Sequence, residues 1–471
     1  MSAVQIFEYD KLVTAGDGVS ATVIPEKVFA WLEGQCLKVG EQAPMWLKLT
    51  SRQGRRVIQV TSYVGVLRAP CGFQIEILPK IGRKTSAHRA RRKLIEMLKC
   101  LRGFRHLKTL NANLQAERMP LLEVFLQQFL ETVGHIVSKG LRSDYSARQA
   151  NLSSLRGKLM MARHLSENLV RRDRFFTEYD EFTPDRAENR LIHSALRNAL
   201  GMCSTPDNQR LARELCFVFA DVPMSRDVAL DFKRIRLDRG MAYYEPALEW
   251  ARLILEGNSP VPGTGKHHAP SLLFPMEAVF EAYVAKHLAG QLEEGYGLKT
   301  QVSREHLVSH KGQDWFRLKP DLLVQEGRQS RMVLDTKWKL LDHTKGNRHE
   351  KYQLSQADFY QLHAYAHLYL KAAGHAVLIY PWTDSFSKPL PVFDFKSSQQ
   401  LKLWVLPFCL ECSTLMLPKA SPLDRFIRAQ VCLAPLEHRS ETHGPTAAKT
   451  RRSSFQCLCD DADRDSLPAP E

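Results

Sequence analysis

The chain has 471 residues, 44% of them hydrophobic, and Lys plus Arg exceed Asp plus Glu by 66 − 51 = 15. That length is too great for one ordinary core and predicts two or three domains. The positive excess points to a polyanionic partner, most often nucleic acid. No run of about 18 apolar residues is present, so no membrane span is expected. Early acidic residues in MSAVQIFEYDKLV argue against a secretory leader. Ten scattered cysteines read as reduced thiols of a cytoplasmic protein.

Residues 20–80 read as short strands. RRVIQVTSYVGVLRA and GFQIEILPKI alternate, are rich in β-branched residues and are broken by Pro70, Gly72 and Pro79. The following segment, 82–108, is crowded with Arg and Lys, and Leu94, Ile95, Leu98 and Leu101 recur at helical spacing. It is either a solvated basic helix face or a surface for phosphates or an acidic partner. Residues 1–108 are therefore expected to form a β-rich N-terminal domain ending in a basic helix.

Residues 109–257 read as a helical middle region. Within it, TPDRAENRLIHSAL suggests a helix with Thr183 as N-cap and Pro184 at the first position. The Pro-, Gly- and His-rich stretch 258–270 reads as a linker. Its Gly265-Lys266 imitates the end of a phosphate-binding loop. Pro260 and His267 stand where that loop needs glycine and Ser or Thr, so no NTPase is expected here. Nucleotide energy, if used, comes from another chain. Residues 271–435 shift to a mixed α/β pattern: a helix from Met276 to Leu288, a hairpin, a helix from Ser355 to Leu370 and the apolar strand HAVLIYPW. Residues 436–471, including Cys457 and Cys459, are polar and read as a disordered tail. The expected fold class is multidomain α+β with a C-terminal mixed sheet flanked by helices.

The hairpin RLKPDLLVQEGRQSRMVLDTKWKL carries charge in runs that otherwise suit a core. With Gln325 placed opposite Arg331, Asp321 falls opposite Asp335 on one face. Opposed carboxylates about 5 Å apart repel unless a cation sits between them. Lys337, two residues on, shares that face, while Met332, Leu334, Thr336 and Trp338 face the other way. The arrangement suits a hard, oxygen-seeking cation such as Mg²⁺, with Lys337 orienting water or offsetting phosphate charge. Glu281 lies upstream on a helix beside an apolar stripe. Gln361 and Tyr365 lie downstream, four apart on one helix face. Asp231-Phe232-Lys233 and Asp394-Phe395-Lys396 repeat part of the pattern without a hairpin to present it. His363 and His367, and Cys409 and Cys412, have zinc-like spacing but lack a complete ligand set.

Pro320-Asp321, Asp335-Thr336-Lys337 and Gln361-x-x-x-Tyr365, after Glu281, resemble the PD-(D/E)xK nuclease superfamily. With SYVGVLR, IEILPKI, LRSDY, LRGKL and FTEYDEFTPDRAENRLIHSAL they resemble more closely the McrC family, the nuclease subunit of the McrBC modification-dependent restriction systems. The resemblance spans roughly residues 60 to 385 and implies Mg²⁺-dependent DNA cleavage at Asp321, Asp335 and Lys337. It also implies a further metal contact from the Thr336 carbonyl. The implied partners are DNA in a methylated-cytosine (5-methylcytosine) context and an McrB-like AAA+ GTPase ring, whose activity the N-terminal half would stimulate. The rival readings are a stand-alone repair-type nuclease and a non-catalytic DNA-binding adaptor.

Overall fold

In the computed structural model the described residues are 3–14, 21–37, 46–52, 54–81, 86–101, 119–256, 271–396 and 398–429. The expected linker 258–270, the tail 436–471 and part of the basic segment lie outside them. Residues Met1–Cys432 cluster as one compact unit.

The N-terminal region is built from two small sheets. In one, Ala3–Phe7 runs parallel to Gln74–Leu78, which pairs antiparallel with Tyr63–Arg68. The fourth strand is Ser271–Pro275, antiparallel to Tyr63–Arg68. The segment that opens the C-terminal region thus completes the N-terminal sheet. Gly65 makes this possible. Its φ is +128°, and a side chain there would collide with the Leu272 carbonyl. The other sheet runs Thr22–Val23, Lys11–Val13, Arg55–Val60, Leu47–Arg52. The helix Glu26–Cys36, which strand alternation did not predict, buries Val28, Phe29 and Leu32.

The basic helix spans Ala87–Leu98, and its charge is less available than its composition suggests. Arg91 is buried and pairs with Glu76 at 2.5 Å, while Arg89 pairs with Glu411 at 3.1 Å. Lys93, also buried, pairs with Glu96 at 2.6 Å. Along the described part, much of the charge is spent internally rather than held out for a partner.

The middle region is helical at its centre, with Leu121–Lys139, Ala187–Met202, Pro206–Val218 and Glu245–Glu256 sharing one apolar core. It also holds a three-stranded antiparallel sheet: Asp144–Leu152, Phe175–Thr183 and Lys158–Leu159. The expected N-cap at Thr183 is displaced. Thr183 ends a strand, its hydroxyl accepts from the Asp185 N–H at 3.2 Å, and the helix starts at Ala187.

The C-terminal sheet has the order Tyr296–Thr300, Leu322–Glu326, Gln329–Thr336, Gly374–Pro381, Leu401–Cys409, Phe393–Asp394. The first two pairings are antiparallel and the next two parallel. Both faces are covered. Leu322, Val324, Met332, Leu334, Val377 and Ile379 join the core that includes the helix Met276–Ala289. Leu323, Val333, Ala376 and Leu378 pack with Leu362, Tyr365 and Ala366 of the helix Gln356–Leu370. Burial on both faces explains the near-continuous apolar runs. It also makes the charges at the strand ends conspicuous.

Candidate active site

The hairpin register follows the alternation of the sequence with one correction. Leu322 pairs with Leu334, Leu323 with Val333 and Val324 with Met332, as expected. Gln325, however, opposes Ser330 rather than Arg331, because the register shifts after Val324. The tight turn at Gly327-Arg328 and this bulge cancel, so the site end keeps the expected offset. The ladder stops at Leu322. Asp321 lies just outside it, so the expected pairing with Asp335 is not formed; its carboxylate reaches instead to Thr336, the residue expected to face away.

There Asp321 Oδ2 accepts from both the backbone N–H and the hydroxyl of Thr336, each at 2.8 Å. Asp335 is 2% exposed, and its Oδ2 lies 2.6 Å from Lys337 Nζ. Lys337 also donates to Gln361 Oε1 at 3.2 Å. Gln361 in turn donates to the Tyr365 hydroxyl at 2.8 Å, and that hydroxyl donates to the Lys319 carbonyl at 3.2 Å. Glu281 comes from the helix on the other face and accepts from the Gln301 side chain. All six side chains expected from sequence, and Thr336, are therefore drawn to one end of the hairpin.

Two participants escaped the sequence reading. Asp358 Oδ1 is 3.9 Å from Lys337 Nζ. Its place three residues before Gln361, on the same helix face, was a usable signal. Gln301 donates its backbone N–H to the Asp321 carbonyl at 2.9 Å while its side chain holds Glu281. No motif marks it.

The electrostatics are strained toward neutrality. Burial, then the charge of Asp321, pushes Asp335 up to about 7 despite the nearby lysine. The same two causes, in the same order, push Glu281 up to about 7. Burial alone would lower Lys337, but Asp335, Asp358 and Asp321 together raise it. The site thus holds more negative charge than its low-dielectric surroundings favour. Its donors are oxygens, the chemistry a hard divalent cation prefers. Among the described residues no group of three or more His, Cys, Asp or Glu converges closely enough to hold an ion as it stands. Asp321 is engaged by Thr336 and Glu281 by Gln301, so both carboxylates would turn to receive one.

The site is braced from the N-terminal sheet. Glu8, fully buried, accepts from the Trp338 indole N–H at 2.8 Å and from the Lys80 N–H at 2.7 Å. Burial pushes Glu8 up to about 7. Trp338 follows Lys337 directly, so this contact fixes the exit of the strand that carries Asp335 and leads into Lys337.

Among the described residues, the other His and Asp-x-Lys constellations gather no ligand set. His363 and His367 approach each other at 3.1 Å on an exposed face. Asp231 is committed to Arg190 at 2.6 Å. No helix among the described residues is long and apolar enough to cross a membrane.

The structure is that of an α+β protein whose C-terminal mixed sheet presents a half-buried cluster of acids and one lysine. A family profile described as McrBC 5-methylcytosine restriction system component matches residues 58–381. The chain belongs to this family, which bears out the McrC resemblance carried by the hairpin and IEILPKI. No curated protein matches. Among solved structures, the chain is similar to a chain of the refined half-complex from the tetradecameric assembly of Thermococcus gammatolerans McrB AAA+ hexamers with bound McrC. Identity is 18%, coverage 87% of this chain and 95% of the other, and the TM-score 0.57. A second match, to the cryo-EM structure of the Thermococcus gammatolerans McrBC complex, has 19% identity, 60% and 86% coverage and a TM-score of 0.44.

Proposed function

We propose that this chain is the Mg²⁺-dependent endonuclease subunit of a GTP-dependent, 5-methylcytosine-directed restriction complex, with a core of the PD-(D/E)xK type. It would work with an McrB-like AAA+ GTPase ring, which it stimulates. The observation that carries the reading is the pairing of Asp335 with Lys337 at 2.6 Å at a strand end, beside Asp321. Bound magnesium would polarise a phosphoryl oxygen and lower the pKa of a coordinated water. Asp321 and Asp335 would hold it, with the Thr336 carbonyl as a further ligand. Lys337, fixed by Gln361, orients the attacking water and offsets charge gathering on the phosphate. Glu281, with its carboxyl near 7, is suited to accept a proton at neutral pH. Tyr365 sets the position of Gln361.

The test combines the chain, or its Asp335→Ala variant, with a candidate McrB-like GTPase, GTP and Mg²⁺ on methylated and unmethylated plasmid. The reading expects cutting of methylated DNA only, dependent on the partner and lost in the variant. Cutting without the partner, regardless of methylation, would favour a stand-alone nuclease. GTPase stimulation without any cutting would favour a non-catalytic adaptor.

A further inference from the structure

Between Gln301 and Asp321, both of which contribute to the acid cluster, the chain makes an excursion absent from the expectations above. Glu305–His310 and Gln313–Leu318 pair with each other alone, as an antiparallel ribbon turned at Lys311-Gly312. Both turn residues have positive φ, +50° and +76°, the geometry of a tight hairpin turn. A lone two-stranded ribbon is marginal in water. This one is fixed at its root, where the Tyr369 hydroxyl lies 3.1 Å from the Val302 carbonyl and 3.0 Å from the Leu318 carbonyl.

The ribbon beyond its root is open to solvent, yet it is not polar. Leu307 is 49%, Val308 46%, Trp315 46% and Phe316 67% exposed. Phe316 stands at φ +58° inside a strand, a conformation that costs an aromatic residue energy and turns it out of the ladder. Charge surrounds these apolar groups. Across residues 304–319, Arg304, Lys311, Arg317 and Lys319 outnumber Glu305 and Asp314 by 4 − 2 = 2.

We propose that this ribbon is a DNA arm, laid in a groove of the duplex next to the scissile phosphate. The inference rests on the nuclease reading of the adjacent acids. Three observations favour DNA over a protein partner. First, cations flank the exposed aromatics, with Lys311 at the turn, Arg317 next to Phe316 and Lys319 at the root, the composition that tracks phosphates while contacting bases. Second, its shape fits: a two-stranded ribbon enters the major groove, about 12 Å wide, and apolar side chains wedge between base steps in the minor. Third, its root is the site itself. Gln301 donates to the Asp321 carbonyl at 2.9 Å and its side chain holds Glu281, so any phosphate delivered to the acids lies alongside the ribbon. Six residues of strand reach about 20 Å.

The test uses the full chain, alone and with the partner GTPase, and two double variants, Trp315→Ala/Phe316→Ala and Lys311→Ala/Arg317→Ala. Affinity for a labelled duplex of about 30 bp is read by anisotropy in EDTA, and cutting is read separately in Mg²⁺. Thermal midpoints check folding, which the exposed positions should leave unchanged. The expected result is roughly tenfold weaker binding for the aromatic pair. For the basic pair, a salt slope shallower by about 2 is expected. Wild-type affinity in both variants, or no DNA binding by the wild type under either condition, would overturn the proposal. So would unchanged DNA affinity with lost GTPase stimulation, which would make the ribbon a protein-docking element. A wild type that binds DNA through the ribbon but never cuts would sink the nuclease reading and leave the arm standing.

Discussion

Replacing Asp335 with Asn should make the metal-free protein more stable at neutral pH while removing the proposed activity. The wild-type carboxyl is 2% exposed and is pushed from 3.8 to about 7, first by burial and then by Asp321. Between those values the folded chain keeps a proton that the unfolded chain gives up. Stability therefore falls as pH rises from about 4 to 7, then levels off. A change of that size corresponds to about 4 kcal/mol at most. Asn carries no charge at any pH and escapes this cost, which is already net of the attraction of Lys337 at 2.6 Å. A gain of up to about 4 kcal/mol above pH 7 is expected, shrinking toward zero near pH 4. In a chain of this size that is a rise of a few °C in the unfolding midpoint. The assay is thermal unfolding in EDTA from pH 4 to 8. A variant less stable than wild type by the same amount at every pH would refute the argument, because the carboxylate would then not be under electrostatic strain.

The same acids predict a pH-dependent affinity for divalent cations. Asp335 and Glu281 hold protons below about 7, so Mg²⁺ binding should displace protons and tighten as pH rises from 6 to 7, changing little above 8; Mg²⁺ titration of the thermal midpoint reads this. Glu8→Ala strands the buried Trp338 indole N–H and removes the acceptor of the Lys80 N–H, and should cost about 2–3 kcal/mol, measured as a lower unfolding midpoint. Gly65→Ala forces a side chain into the Leu272 carbonyl at φ +128° and should cost about 3 kcal/mol or more, seen as a lower midpoint and poor soluble yield. Tyr365→Phe should leave the fold intact, cost about 1 kcal/mol and slow cutting about tenfold by freeing Gln361; an unchanged rate would remove Tyr365 from the site.

The parts of the site that were legible share a local signal. Asp335 and Lys337 stand in apolar alternation, and Gln361 and Tyr365 stand at helical spacing, so periodicity brings them to one place; it did not place Asp321, which leaves the ladder and meets Thr336. The bulge after Val324 was not legible, because Gln325, Ser330 and Arg331 are all compatible with a solvent-facing turn. The strand Ser271–Pro275 was not expected. Its partner at Tyr63–Arg68 is some 200 residues away and leaves no local trace. The sheet Asp144–Leu152 and the ribbon Glu305–Leu318 were missed for a common reason. Their faces are largely exposed, so neither shows the alternation that burial imposes.

The contact between Glu8 and Trp338 spans 330 positions of the chain. A ribosome adding 5–20 residues per second needs roughly 15–70 s to cover that interval. Until then Glu8 has no indole to hold, and the strand carrying Asp335 has no brace. Ser271–Pro275 imposes a similar wait on the first sheet. A nascent or truncated chain therefore lacks the braced form of the acid cluster. Topology alone delays the braced acid cluster until the chain has grown past Trp338.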